Sequence, residues 1–338
     1  MSIKVMVVDD SAFMRKVLSD QVNQISNVVV SATARSGEDA LLKLKKIQPD
    51  LITLDIEMSG INGLETLKII KREFNIPVIM LSSHSGEEMT ITCLENGAMD
   101  FVEKPSNISK IEDSFKEELE KKIKSIIVKP GSVEVIKEVK VVGEKRFPNK
   151  VRGIVIGSST GGPKALMEII KYIPKTLNVP IFIVQHMPSG FTKSFSKRMN
   201  TEANVEVVEA KHLELIRPGV VYIAPGDYHM RIDQRRIYLT NEEKKINSVR
   251  PAVDPLFESA SKVYGKSLVG IILTGMGSDG AEGMKIIANN KGYTIAQDRE
   301  TSVVYGMPRR AVELGVVDEI LSLDMIGTKL DWMIRVKQ

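Results

Sequence analysis

The sequence predicts an α/β chain of two successive units, each built on a mostly parallel sheet. Three observations carry this. The 338 residues exceed one typical domain and suit two. Short apolar runs alternate with amphipathic stretches of helical period across residues 1–105, and apolar runs recur after Val151. Between the halves lies a Lys/Glu/Val-rich stretch with no clear amphipathic period.

In the first half the strand-like runs are IKVMVV (3–8), VVVSATA (28–34), LITL (51–54), VIML (78–81) and DFVE (100–103). Amphipathic segments such as 12–25 and 62–74 separate them. Strand and helix repeated five times imply a parallel sheet covered by helices on both faces. A last helical pattern runs from about residue 108 to 127, and 128–150 then reads as a linker, an edge hairpin being the other reading. The expected division is 1–125, a connector over 126–150, and 151–338. In the second half, 152–157, 179–186, 219–227, 267–277 and 292–298 read as strands, several continuously apolar and therefore buried. Residues 229–241 read as an antiparallel hairpin, and no internal repeat relates the halves.

Composition narrows the function classes. Hydrophobic residues at 43% and charged residues at 27% are ordinary for a globular protein. The net charge of +4, with lysines mostly interleaved with glutamates, gives no case for nucleic acid. One cysteine, Cys93, excludes an internal disulfide and a Cys-based zinc site. The N-terminus reaches two aspartates within ten residues, unlike a signal peptide, and no apolar run approaches a membrane span. The expectation is a soluble cytoplasmic protein. Any histidine chemistry must choose among His84, His186, His212 and His229.

In an open parallel sheet, ligands gather at the carboxyl ends of strands. Asp9 and Asp10 end the first strand and Asp55 the third. Three carboxylates converging there repel unless a cation joins them, and all-oxygen ligands select a magnesium-like ion. Ser82 ends the fourth strand and Lys104 the fifth, a hydroxyl and an ammonium suited to phosphoryl oxygens. Singly, these are ordinary loop acids and a surface lysine. Five at successive strand ends make a constellation. VVDDS, LITLDIEM, VIMLSSHS and DFVEKPS together resemble the receiver domain of bacterial response regulators, over residues 1 to about 125. The resemblance implies a (βα)5 flavodoxin-like fold, Asp55 as phosphoacceptor, and Mg²⁺ held by Asp9, Asp10, Asp55 and the Glu57 carbonyl. It further implies Ser82 as the switch hydroxyl, Lys104 on the phosphate, and a phosphohistidine kinase as donor.

A DNA-binding output would be short, helical and basic. Residues 151–338 are long and strand-rich, so no DNA partner is expected. The turn GSSTGGPKA at 157–165 lacks both the P-loop lysine pattern and G-x-G-x-x-G. It fits G-x-S-x-G as Gly157-Ser158-Ser159-Thr160-Gly161, which centres Ser159 as a nucleophile on a sharp strand-to-helix turn. By itself the motif reads equally well as a Ser/Thr helix cap. A serine nucleophile needs a base and an orienting carboxylate. His186 ends a second buried run, and Asp279 follows a third in ILTGMGSDGAEGM. A loop histidine and a helix-capping aspartate are the ordinary readings. The order Ser, His, Asp differs from that of α/β-hydrolases.

IGSSTGGP, VQHMPSGFT, YIAPGDYH and ILTGMGSDGAEGM resemble the catalytic domain of chemotaxis protein-glutamate methylesterases, the CheB family. The resemblance implies a doubly wound, mostly parallel hydrolase domain with Ser159, His186 and Asp279 as its catalytic set, and with Thr160 and Met276 at the oxyanion. It also implies methyl-accepting chemotaxis receptors as substrates, methanol as product, deamidation of selected receptor glutamines, a chemotaxis histidine kinase as phosphodonor, and no metal in this domain. Ser158 stands where alanine is familiar in the family, and QDRETSVVYGMPRRA (297–311) resembles a motif near its site. The rival readings are a hydrolase of another protein ester and a phospho-switched scaffold without catalysis.

Overall fold

A computed structural model describes residues 2–83, 86–105, 113–127 and 147–337. The chain divides into two compact units, Met1–Ser132 and Val133–Gln338. In the first, β1 (Ile3–Val8), β2 (Val28–Ala34), β3 (Leu51–Asp55), β4 (Val78–Ser82) and β5 (Asp100–Glu103) alternate with α1 (Ala12–Asn23), α2 (Gly37–Leu44), α3 (Gly63–Glu73), α4 (Glu87–Glu95) and α5 (Asp113–Ile127). Every neighbouring pair is parallel, in the order β2-β1-β3-β4-β5. β3 and β4 are buried at each position, as continuous apolar runs inside a doubly covered sheet require. α1 starts where the Ser11 hydroxyl accepts from the Met14 amide, and it buries Met14, Leu18 and Val22 at helical spacing. α3 starts on a capping box between Asn62 and Glu65. Cys93 of α4 is buried, and burial pushes its thiol up to about 12. α5 runs through Ile127, two residues beyond the expected boundary at 125. Residues 128–146 of the expected linker, with its hairpin alternative, lie outside the described residues, as do 108–112 and His84.

The second unit contains β6 (Gly153–Ser158), α6 (Gly162–Ile170), β7 (Ile181–Gln185), α7 (Phe191–Glu202), β8 (Glu206–Glu209), β9 (Val220–Ile223), β10 (His229–Asp233) and β11 (Arg236–Thr240). It continues with α8 (Val253–Tyr264), β12 (Leu268–Ile272), α9 (Ala281–Asn289), β13 (Tyr293–Gln297), α10 (Met307–Glu313), β14 (Glu319–Leu321) and α11 (Leu323–Val336). Seven strands form one parallel sheet in the order β14-β13-β12-β6-β7-β9-β8. β10 and β11 form the expected antiparallel hairpin, a separate two-stranded sheet. The helices pack as two groups, α6 with α7 and α11, and α8 with α9 and α10. The core gathers Phe182, Tyr222, Leu256, Phe257, Ile272 and Met284, all unexposed.

Two strands are shorter than their apolar runs. β9 stops at Ile223 and β12 at Ile272. The runs continue because Leu273, Thr274 and Gly275 stay buried after leaving the sheet. The edge strands β8 and β14 were not anticipated: both are short and begin on glutamate. Strand order fixes where a site can form. From β6 the chain moves outward through β7 to the edge strand β8, comes back to β9 between them, and then crosses to β12 on the other side of β6. The reversal lies between β6 and β12, and in the first unit between β1 and β3.

Candidate active site

At the first reversal, Asp9, Asp10 and Asp55 place carboxylate oxygens within 4.8 Å of one another. Lys104 bridges two of them, its Nζ lying 2.9 Å from Asp9 Oδ2 and 2.7 Å from Asp55 Oδ2. Burial pushes Asp55 up to about 6; Lys104 opposes this and Asp9 adds to it. Burial pulls Lys104 down, but the two carboxylates outweigh it and raise it. The Glu57 amide donates to Asp55, and Ser59 donates to Asp10. Asp9 Oδ2 is buried and has ion-pair distance to Lys104, yet no well-aligned hydrogen-bond donor reaches it. An all-oxygen trio with one such atom fits a hard divalent cation. The Ser82 hydroxyl is turned elsewhere, 2.6 Å from that of Thr90 in α4 and 3.0 Å from the Ser83 carbonyl.

The second reversal gathers Ser159, His186 and Asp279. Ser158 and Gln185 are paired residues at the ends of β6 and β7, so Ser159 and His186 leave adjacent strands side by side. The His186 amide donates to the Ser158 carbonyl at 3.1 Å. His186 Nε2 lies 2.7 Å from Asp279 Oδ2. A carboxylate only accepts, so Nε2 carries a proton toward Asp279, and Nδ1 is the ring nitrogen turned from the acid. This is the reverse of ring use in the serine protease template, where Nδ1 faces the acid. Asp279 is 1% exposed. Its Oδ2 also accepts from the Val253 amide at 2.7 Å, and its Oδ1 from Asp254 and Gly280. Burial pushes its pKa up, but the His186 bond and charge and the α8 amides prevail and hold it below the ordinary value. The capping alternative for Asp279 is thus half met: it caps α8, not the helix that follows it.

The turn at 157–165 is not a side-chain cap. The N-cap of α6 is Gly161, a left-handed residue at φ 77°, with no side-chain cap bond. Gly162 is required by close approach, since a Cβ there would stand 2.0 Å from Gln185 Oε1. Sequence reasoning assigned Gln185 no role, yet it clamps the turn. Its Oε1 accepts from Ser158 Oγ at 2.7 Å, and its Nε2 donates to the carbonyls of Ser159 and His186, each at 3.0 Å. Ser158 is therefore a buried donor as well as a small residue.

Ser159 is half-buried, its amide donating to the Thr274 carbonyl and its carbonyl accepting from Gly162. Thr274, also unassigned, accepts from the Val304 amide on Oγ1, and its own amide donates to Gln297. Gly275 next to it would bring a Cβ within 2.8 Å of Ser159 Cβ. Its amide donates to Val304, and its carbonyl accepts from Gly306 and Met307. Residues 297–307 thus brace the loop that presents Met276. Thr160 is buried beside it, its carbonyl accepting from Thr274. None of these partners has a spacing signature; only the quoted motif at 297–311 pointed toward them.

The other described histidines, His212 and His229, bond to other groups. His212 is exposed and accepts from the Leu239 amide. His229 is unexposed; its Nδ1 accepts from the Ala252 amide at 3.2 Å, and its Nε2 faces the Lys244 carbonyl at 3.1 Å.

An acidic trio with a bridging lysine at one switch point, and a Ser-His-Asp set at the next, define a narrow class: response regulators with an enzymatic output. Residues 5–116 match the response regulator receiver domain family, and residues 154–330 match the CheB methylesterase family. The protein-glutamate methylesterase/protein-glutamine glutaminase of Clostridium acetobutylicum is 45% identical over 341 residues, covering 98% of each chain. That of Pyrococcus horikoshii is 41% identical, over 96% of this chain and 91% of its own. The crystal structure of the Thermotoga maritima CheB methylesterase catalytic domain superposes with a TM-score of 0.52 at 42% identity, over 54% of this chain and 99% of its own. The chain belongs to the CheB methylesterase family, with a receiver domain at its N-terminal end. Among the described residues, no helix is long and apolar enough to cross a membrane.

His229 makes a pH prediction. Burial lowers its pKa from 6.5, and a proton on Nδ1 would face the Ala252 donor. Its contribution to stability is complete above pH 6.5 and is lost as pH falls below that value, because only the unfolded chain takes up the proton. The fluorescence of Trp332, the single tryptophan, reports the second unit. Urea midpoints read from it should fall between pH 7 and 5, and His229→Gln should lower the midpoint at pH 7 while shrinking that fall. An unchanged slope in the variant would assign the pH dependence to other groups.

Proposed function

We propose that the chain is a phosphorylation-activated serine hydrolase that demethylates glutamate γ-methyl esters on chemotaxis receptors. The same site deamidates selected receptor glutamines. The observation that supports this most directly is the 2.7 Å contact of His186 with a buried, ionised Asp279, one strand end from Ser159.

In this reading Ser159 Oγ attacks the ester carbonyl while His186 Nδ1 takes its proton, and Asp279 stabilises the resulting imidazolium. The Met276 amide, aimed by the braced Gly275, and Thr160 stabilise the oxyanion. His186 returns the proton to the departing methoxide, and methanol leaves. Water, deprotonated by the same nitrogen, then cleaves the acyl-serine and releases glutamate. A glutamine substrate follows the same course with ammonia as leaving group. No step calls for a metal in this unit.

The receiver spans 1–125, the connector 126–150 and the catalytic unit 151–338. Asp55 accepts the phosphoryl group from a phosphohistidine on a chemotaxis kinase. Asp9, Asp10, Asp55 and the Glu57 carbonyl would hold Mg²⁺. When bound, the ion neutralises charge on the transferring phosphoryl oxygens. Lys104, already bonded to Asp55, contacts the phosphate, and Ser82 must turn from Thr90 to reach it. The working compartment is the cytoplasm.

Three outcomes are expected from methanol release with methylated receptor. Ser159→Ala should cost about 10⁶ in turnover, as removal of the nucleophile does elsewhere. Ser158→Ala should keep most activity and lose on the order of 1 kcal/mol of stability, because it orphans one side of Gln185. Equal catalytic loss from both would reassign the nucleophile, and a fully active Ser159 variant would remove the mechanism.

Asp279→Asn should cut turnover by roughly 10⁴, with the imidazole tautomer no longer held. An asparagine must also turn an NH₂ toward amides that now donate to a carboxylate, so the second unit should unfold earlier. Near-normal turnover would leave Asp279 a cap and nothing more.

A phosphodonor should raise methanol release by the full chain at least about tenfold, equivalent to roughly 1.4 kcal/mol. Asp55→Asn should block the gain without touching the basal rate. Activation that survives in this variant would separate phosphorylation from control.

A further inference from the structure

The first turns of α8 and α9 cap one another. Asp279, just before α9, accepts from the Val253 and Asp254 amides that open α8. Asp254, in the first turn of α8, accepts on Oδ1 from the Gly283 amide in the first turn of α9, at 2.7 Å. Each carboxyl therefore sits at the positive end of the other's helix. The two side chains also meet directly, and Asp254 in its protonated form donates to Asp279.

Two carboxylates in contact cannot both stay charged without help. Asp279 has His186 and three backbone amides; Asp254 has the amide of Gly283. Burial first, then the charge of Asp279, push Asp254 up to about 7. Other charges of these helices pair elsewhere, Glu258 with Lys262 and Arg231, and Glu282 with Lys285. Of the two carboxyls, Asp254 is therefore the one that takes up a proton first, since Asp279 is held low.

We propose that Asp254 is a positioning residue for the reaction: a neutral carboxyl that donates to Asp279, accepts from Gly283, and so holds Asp279 toward His186. The proposal rests on the reading of Ser159, His186 and Asp279 as the catalytic set. Asparagine reproduces a neutral carboxyl, with Oδ1 on Gly283 and an NH₂ for Asp279. Alanine removes both bonds.

The experiment compares the full-length wild type with Asp254→Asn and Asp254→Ala. It measures methanol release against pH and the titration of the His186 ring by nitrogen-15 NMR. An ionised Asp254 would add a negative charge behind Asp279, and asparagine cannot supply one. Asp254→Asn should keep kcat within about threefold at neutral pH, make the His186 titration a single step, and move it and the acid limb of kcat/KM down by roughly half a pH unit. Asp254→Ala should lose more than about tenfold in kcat with KM little changed, the mark of an interaction that acts through the chemical step. Superimposable His186 titrations in wild type and Asp254→Asn would overturn the proposal, whatever the rates, and so would a fully active Asp254→Ala. If alanine prevents folding, the asparagine comparison still decides. If no protein releases methanol, the proposed reaction fails while the His186 titration continues to test Asp254.

Discussion

An ionised carboxylate with 1% of its surface exposed has almost no water to solvate it, and in the second unit Asp279 is such a group. Its solvent is the protein: two amides at the start of α8, the amide of Gly280, and the ring of His186. Much of the unit follows from supplying those donors. α8 must begin where Val253 can reach Asp279, and buried His229 holds the Ala252 amide immediately before it. The imidazole must present Nε2 to the acid, which turns Nδ1 away from it. One electrostatic requirement thus determines the start of a helix and which ring nitrogen of a histidine faces the acid.

The two units answer the same topological opportunity with opposite electrostatics. Each gathers polar groups where strand order reverses, at the carboxyl ends of parallel strands. The first concentrates negative charge and spans it with one ammonium, so Asp55 is held above the ordinary carboxylate range. The second surrounds one negative charge with donors, so Asp279 is held below it.

What the sequence made legible, and what it hid, divides on physical lines. Buried parallel strands need continuous apolar runs, so the interior strands of both sheets could be read and their ends carried Asp9, Asp55, Ser159 and His186 with them. The edge strands β8 and β14 bury little and are bounded by polar residues, so they carry no such signal. The apolar runs through 219–227 and 267–277 overstated two strands; in the second, the loop residues Leu273, Thr274 and Gly275 beside Ser159 are as buried as a strand. Gln185, Thr274 and Asp254 were invisible for another reason. Each acts through a hydrogen bond to a residue distant in sequence, and no local spacing encodes such a partner. The ring orientation of His186 could not be read either, since it depends on where α8 delivers its amides.

The buried thiol of Cys93 carries a practical consequence. Thiolate is the reactive form of cysteine, and a group pushed up to about 12 is almost wholly protonated at neutral pH and shielded as well. The native chain is therefore close to silent toward maleimides and mild oxidants while folded. A single cysteine introduced on the surface of either unit would be the one site that takes a dye or spin label, with no need to remove the natural residue from its core position. The surroundings of that label could then be followed in the protein as it stands.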